Sequence, residues 1–238
     1  MKAFLLAGGR GERLRPLTLT CPKCLVPING VPLLQIWLDR CREEGIAEVL
    51  VNVSHHAGRV REFLARRSGP PRVELVVETE PQGTAGTVSM NGWFVEGEES
   101  FWVIYADNLT DCSLAAMLDT HRRHDGLLTM ALFHAPDPTA AGIVEMSPDG
   151  RIVSFEEKPA HPRGDLASAG IYLARAGLLC ELSPAPGRIV DFGFDVLPRL
   201  VGRMHGHVID GYFADIGTPA ALARASAAWA GRARRAGA

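Results

Sequence analysis

The sequence predicts an α/β protein: a mixed, mainly parallel sheet flanked by helices, with a small antiparallel β addition. Three observations carry this. Short apolar runs alternate with stretches of helical period through the first 133 residues. Those runs are continuously apolar, as strands buried on both faces are, rather than alternating with polar residues. Hairpin-type turn signals enter only afterwards.

In order, Lys2–Leu6, Val49–Val53, Val73–Val77, Phe101–Tyr105 and Leu127–Phe133 read as buried parallel strands. Between them, Leu34, Trp37, Leu38 and Cys41 fall at i, i+3, i+4 and i+7, and Gly45 stands where a helix would end. Val60, Phe63 and Leu64 repeat the spacing, as do Leu114, Met117, Leu118 and His121 ahead of Asp125-Gly126. Strand–helix alternation of this kind predicts helices on both faces of the sheet. Ile143–Met146 and Arg151–Phe155 flank Ser-Pro-Asp-Gly and predict a hairpin, with Ser168–Leu173 as a further strand. Thr218 and Pro219 form a helix start, cap then proline, before an Ala-rich run to Arg235 whose last few residues are expected to fray.

With 238 residues, 47% apolar composition and a net charge of −2, the chain suits one main domain, and residues 1–238 are read as a single unit. The near balance of charge argues against a nucleic-acid or membrane surface as partner. No apolar stretch approaches the roughly 18 residues of a membrane helix, and Met1–Ala7 is too short for a signal peptide. A cytoplasmic location is expected. Cys21 and Cys24 have the spacing of half a zinc site, but Cys41, Cys112 and Cys180 supply no second pair, so the five cysteines read as reduced thiols. His121, His124, His205 and His207 have no carboxylate or cysteine in register and read as surface or core residues.

The segment from Leu5 to Gly30, LLAGGRGERLRPLTLTCPKCLVPING, carries the chemistry. A dinucleotide fingerprint from Gly9 needs a third small residue where Leu14 stands, and no G-x-x-x-x-G-K-[ST] fits. Pro16, Pro22 and Pro27 prevent a helix, leaving more than twenty residues of connection, a length that in a compact domain points to function. Gly8, Gly9 and Gly11 let backbone N–H groups approach a ligand, while Arg10, Arg13, Arg15 and Lys23 supply positive charge. The combination suits a polyanion.

LAGGRGERLRPLT with CPKCLVPINGVPL resembles the signature of the sugar-1-phosphate nucleotidyltransferases, a G-G-x-G-x-R-L run followed by P-K-P. The resemblance continues in order through EPQGTAGT, ADNL, AGIVEMSPDGRIVSFEEKP, ASAGIY and YFADIGTP, over nearly the whole chain. It implies a Rossmann-like nucleotide-diphospho-sugar transferase fold and a reaction in which an NTP and a sugar 1-phosphate give an NDP-sugar and pyrophosphate. Two anions must meet, so lysine, arginine and a divalent metal are needed to neutralise charge around in-line oxygens. The acceptor oxygen is already ionised, so no general base is required.

By motif position, Arg13 matches the arginine of the triphosphate and Lys23 the lysine near the α-phosphate, with Leu6, Ala7, Gly8, Gly9 and Gly11 forming the nucleotide loop. Asp107 and Asp215 each end an apolar run and match the carboxylates that hold Mg²⁺, a hard cation suited to oxygen ligands. Lys158 matches the lysine of the sugar phosphate. Glu157, Gly142 and Ser168 fall on the sugar, while Arg188, Asp191 and Asp195 edge the pocket without an assigned role. Gly83, Thr84 and Glu78 fall on the base, and a carboxylate accepting two hydrogen bonds suits the N1–H and N2–H₂ donors of guanine. GTP is therefore favoured over UTP, CTP and ATP.

Four positions depart from the family pattern: Ala106 for glycine, Cys24 for proline, Ala141 for tyrosine and Ser168 for asparagine. The last two widen the choice of acceptor to a heptose or cyclitol 1-phosphate beside mannose. No C-terminal hexapeptide repeat is visible, so a stand-alone transferase is expected, with the terminal helix and Trp229 as the one hint of homo-oligomer packing. Two readings from other classes rank lower. A non-catalytic nucleotide-sugar sensor predicts loss of the five charged positions, all of which are present. A nicotinamide-dependent oxidoreductase lacks its third glycine.

Overall fold

A computed structural model describes residues 1–182 and 188–236, the last six of these by backbone alone. In chain order the elements are β1 (Lys2–Leu6), β2 (Pro27–Ile28), β3 (Val31–Pro32), α1 (Leu33–Glu43), β4 (Glu48–Val53), α2 (Ala57–Ala65), β5 (Arg72–Val77) and α3 (Thr84–Met90). They continue with β6 (Ser100–Tyr105), β7 (Asn108–Thr110), α4 (Leu114–Arg122), β8 (Leu128–His134), β9 (Gly142–Met146), β10 (Ile152–Glu157) and β11 (Leu166–Arg175). β12 (Met204–Val208), β13 (Phe213–Asp215) and α5 (Pro219–Ala236) complete the chain.

Among the described residues, nine strands form one sheet. β1 lies between β6 and β4, parallel to both, and β5 extends the parallel set past β4. On the far side of β6, β11 runs antiparallel and β8 pairs antiparallel to β11. β12 joins β8 in parallel, and the β9–β10 hairpin meets the start of β11 at Ala167.

Strand side chains alternate between faces, and the two cores follow that alternation. Ala3, Leu5, Val49, Val51, Trp102 and Ile104 face α1, α2, α4 and α5 through Leu34, Trp37, Leu38, Val60, Met117 and Ala225. Phe4, Leu6, Leu50, Phe101 and Val103 face α3 and the irregular segments through Val88, Phe94, Phe192, Leu197 and Leu200. Each buried Val, Leu, Ile, Phe or Met among them contributes about 1.5–3 kcal/mol of transfer free energy. Helices do cover both faces, but unequally.

The helix starts and stops fall as the sequence predicts. Gly45 takes φ +72 after α1, Ser113 Oγ accepts from Ala116 N at the start of α4, and Thr218 Oγ1 accepts from Ala221 N at the start of α5. Fraying of Gly237 and Ala238 lies outside the described residues. The Ser147–Gly150 hairpin turn is closed by Gly150 N donating to Ser147 O.

Two strand readings are corrected. Leu127–Phe133 was expected to be parallel, but β8 runs antiparallel to its main partner β11 and parallel only to β12. A continuous apolar run reports burial on both faces, which either direction satisfies. Val73–Val77 was expected to be buried, but β5 is an edge strand whose residues are half-buried or exposed. The sequence reading also omitted β12, whose two histidines and glycine hide it.

Candidate active site

Because β1, β4, β5 and β6 are parallel, the loops that follow them open on one edge of the sheet, the edge where open α/β sheets bind ligands. A cavity of about 260 Å³ lies there, lined by Leu6, Gly8, Gly9, Glu78, Gly83 and Thr84, all of them nucleotide positions expected from the sequence. Ala7 sits beside it, its N–H donating to Asn52 Oδ1 at 2.9 Å. Asn52 Nδ2 donates to Glu78 Oε1 at 3.1 Å, and Thr87 Oγ1 donates to the same oxygen at 2.5 Å. Glu78 Oε2 lies 3.5 Å from where a Cβ on Gly8 would sit, and both residues line the cavity. That Cβ would also lie 2.8 Å from Asn52 Nδ2, so a bare Gly8 is what allows Asn52 to tie β1 to Glu78.

Gly83 has φ +79, and a Cβ on it would fall 2.4 Å from Val190 O. That carbonyl accepts from Ala85 N at 2.9 Å and Gly86 N at 3.0 Å. The Gly83–Thr84 loop is thus laced to residues 190–192, more than a hundred positions away. Gly11 stands apart from the first cavity. It takes φ +63 and packs on Thr18 and Lys23, with Thr18 Oγ1 donating to its carbonyl. It shapes the turn before Glu12–Leu14 and does not line the cavity. Arg15 pairs with Glu12 at 3.6 Å on the surface.

Lys23 occupies a short 3₁₀ turn, Lys23–Leu25, and is only 8% exposed. Its Nζ lies 2.7 Å from Asp107 Oδ2 and 3.6 Å from Asp215 Oδ1. A buried ammonium needs such partners to offset its lost hydration. The pairing of β13 with β7 sets Asp215 opposite Asn108, which explains how a residue 108 positions later meets Asp107. Arg13 reaches Asp215 at 3.7 Å. A Cβ on Gly217 would fall 2.8 Å from Arg13 and 3.0 Å from both Asp215 carboxylate oxygens. Two carboxylates converging on one cation position, with no third His, Cys, Asp or Glu beside them among the described residues, fit a hard divalent ion that completes its shell with phosphate oxygens and water.

A second cavity, of about 350 Å³, is lined by Arg13, Asp107, Asp215, Gly142, Glu157, Lys158 and Ser168. Lys158 follows β10 with φ +51, its N–H donating to Ala141 O at 3.0 Å. Glu157 is 18% exposed, with Oε1 3.8 Å from Lys158 Nζ. Its Oε2 fills the space that the missing Cβ atoms of Gly142 and Gly193 leave, at 2.6 and 2.5 Å from where they would stand. Burial raises the Glu157 carboxyl above the usual range, and Asp191 raises it further against the opposing pull of Lys158. Ser168 Oγ meets Tyr172 OH at 3.0 Å, beside a bulge in β11 where Gly170 takes φ +66 over Tyr105. Thr84, Tyr105, Asp107 and Asp191 line both cavities.

The sequence reading missed Asn52, Thr87, Tyr105, Asn108 and Tyr172 as lining residues. Asn52 carried a signal, being the one polar residue between Val49 and Val53 in a buried strand. Outside the site, Cys24 and Cys41 are pushed up to about 12 by burial. His121 is buried between Ser100 and Thr129, and His124 stacks on His205 at 3.8 Å.

A family model described as nucleotidyl transferase matches residues 2–231. A mannose-1-phosphate guanylyltransferase of Mycobacterium tuberculosis is 33% identical over 94% of this chain and 63% of its own length. Mannose-1-phosphate guanylyltransferase 1 of Arabidopsis thaliana is 31% identical over 92% of this chain and 62% of its own. The chain thus spans about three fifths of the curated relatives it matches. A crystal structure of a putative glucose-1-phosphate thymidylyltransferase from Bacillus anthracis, in complex with a sucrose, superposes with a TM-score of 0.85 at 26% identity, covering 95% of this chain and 94% of that one. Together with two cavities that share Asp107, the carboxylate paired with buried Lys23, these matches establish that the chain belongs to the nucleotidyl transferase family.

Proposed function

We propose that this chain transfers GMP from GTP to a sugar 1-phosphate, a hexose, heptose or cyclitol, with release of pyrophosphate and formation of a GDP-sugar. The observation that carries the reading is Lys23, a buried ammonium held by Asp107, which lines both cavities, and by Asp215, which lines the second. One cavity takes the triphosphate and the other the acceptor, and the reacting phosphorus belongs between them. Relatives named as guanylyltransferases support the choice of base, as does Glu78, a carboxylate lining the first cavity and an acceptor for the donor edge of guanine. Among the described residues no helix is long and apolar enough to cross a membrane, and we place the reaction with the nucleoside triphosphates of the cytoplasm.

In this mechanism Gly8 and Gly9 let the backbone come close to the phosphates, and Arg13 balances the charge gathering on the departing pyrophosphate. Lys23 leaves its carboxylate partners to stabilise the α-phosphoryl group in transfer. Asp107 and Asp215, relieved of Lys23, would hold Mg²⁺, which when bound supplies charge neutralisation at the phosphate oxygens. Lys158 grips the acceptor phosphate and aims its ionised oxygen, so orientation and charge rather than proton transfer lower the barrier.

The test is pyrophosphate release with ATP, CTP, GTP, UTP and dTTP against hexose, heptose and cyclitol 1-phosphates, with Mg²⁺ and with chelator. Release that depends on GTP, acceptor and metal is the expected result. Preference for another triphosphate would overturn the base assignment, and silence with retained triphosphate binding would overturn the reaction.

A further inference from the structure

The segment 188–195 is the part of the pocket for which the motifs give no role, yet it touches both cavities. Asp191 Oδ1 accepts two hydrogen bonds from Thr84, from its N–H and its Oγ1, each at 3.1 Å. The Thr84 hydroxyl in turn accepts from Phe192 N at 2.9 Å and from Tyr105 OH at 3.3 Å. Asp191 N donates to Asp195 Oδ2 at 2.8 Å, and Asp195 is fixed by Arg188 at 2.6 Å. Asp191 is therefore held from three sides through its backbone and one carboxylate oxygen. Its other oxygen, Oδ2, has no hydrogen-bond or ion-pair partner among the described residues, although Asp191 lines the acceptor cavity.

Glu157 lines the same cavity; burial first, and Asp191 after it, push its carboxyl up against the pull of Lys158. Two half-buried carboxylates thus border one cavity beside a single lysine, Lys158, and that lysine is reserved for the acceptor phosphate. Such oxygens are stabilised by hydroxyl donors, and a vicinal diol supplies two. A second acidic group on the acceptor would meet like charge instead.

Resting on the proposed function, we infer that Asp191 is a specificity-determining residue that serves both substrates. One carboxylate oxygen fixes the Gly83–Thr84 loop against the nucleotide, and the other reads the hydroxyls of an acceptor that carries no acidic group besides its phosphate. The pocket accordingly selects a polyhydroxylated neutral sugar 1-phosphate over the corresponding uronic acid 1-phosphate.

Two variants separate the two oxygens. Asp191→Asn keeps an acceptor for Thr84 but loses the charge offered to the sugar. Asp191→Ala loses both. With the native enzyme and its best acceptor, Asp191→Asn should leave the GTP KM within about twofold and raise the acceptor KM roughly 10- to 100-fold, the range of a charge-assisted hydrogen bond. Asp191→Ala should raise both. Native enzyme should favour a hexose 1-phosphate over its uronic acid analogue by at least about tenfold, and Asp191→Asn should narrow that ratio. An unchanged acceptor KM and an unchanged ratio in Asp191→Asn, alongside an active native enzyme, overturn the inference and leave the reaction standing. A native enzyme silent with every triphosphate and acceptor overturns the reaction itself. Equilibrium GTP binding, weakened in Asp191→Ala but not in Asp191→Asn, then still supports the loop-fixing role, and equal binding by both variants refutes it.

Discussion

Replacing Gly83 with alanine tests the long-range lacing of the nucleotide loop. At φ +79 and ψ 166 the backbone lies in a region essentially reserved for glycine, and a side chain there costs about 1–3 kcal/mol. The new Cβ would stand 2.4 Å from Val190 O, with Val190 C and N each at 2.8 Å. These are backbone atoms, so no flexible side chain can yield. Moving Val190 away gives up the bonds from Ala85 N and Gly86 N, roughly 1 kcal/mol each. The rigid-loop total is about 3–5 kcal/mol. A loop that springs free transfers part of that cost from global stability to nucleotide binding.

Urea unfolding should therefore lose about 2–4 kcal/mol in Gly83→Ala, and the GTP KM should rise at least about tenfold. Gly9→Ala is the control, because a Cβ there meets nothing within 4 Å. It should unfold like the native chain while still crowding the phosphates. If Gly83→Ala matched the native chain in both stability and GTP KM, the lacing to residues 190–192 would carry no weight.

Other outcomes follow from the same geometry. Lys23→Ala should lower kcat/KM for pyrophosphate release by roughly 10²–10³, the usual cost of one charge-stabilising donor, with an unchanged far-UV spectrum. Gly193→Ala would put a Cβ 2.5 Å from Glu157 Oε2; steady-state kinetics should give a raised acceptor KM at a constant GTP KM. Burial, helped by Arg175 at His121 and by His205 and then Arg175 at His124, holds both imidazoles down to about 4 in the folded chain, against 6.5 for the free side chain. The unfolded chain binds more protons between these values, so stability should be full above about pH 6.5 and fall as the pH drops toward about 4. Urea midpoints across that range measure the slope, and His124→Gln should flatten it.

The parallel half of the sheet was legible because burial on both faces writes an uninterrupted apolar run, as in Phe4–Leu6 and Phe101–Tyr105. Direction leaves no such mark, which is why β8 was misread. The charged centre was legible because Arg13, Lys23, Asp107, Lys158 and Asp215 sit in local motifs, and the fold brings Lys23 to both aspartates. Asp191 gave no comparable signal. Its partner Thr84 is 107 residues distant, and the intervening chain must first build β6, β8 and β11. Gly11 shows a related limit of the sequence. A glycine that permits a left-handed turn and one that admits a ligand look alike in sequence, and only the packing on Thr18 separates them.

The antiparallel insertion of β11 has an evolutionary consequence. Because β11 opposes β6, its beginning rather than its end reaches the ligand edge, so the cavity proposed for the acceptor draws chiefly on residues 133–215 and the one proposed for the nucleotide on residues 6–107. On the proposed function, the two recognition tasks are written in successive stretches of the chain and can drift separately, base choice in one and acceptor choice in the other. The strap at 190–192 is the exception, a late segment that supports an early loop. A chimera exchanged between α4 and β8 should inherit its acceptor from the second parent, and should keep the base preference of the first only where the donated strap still fits Gly83 and Thr84.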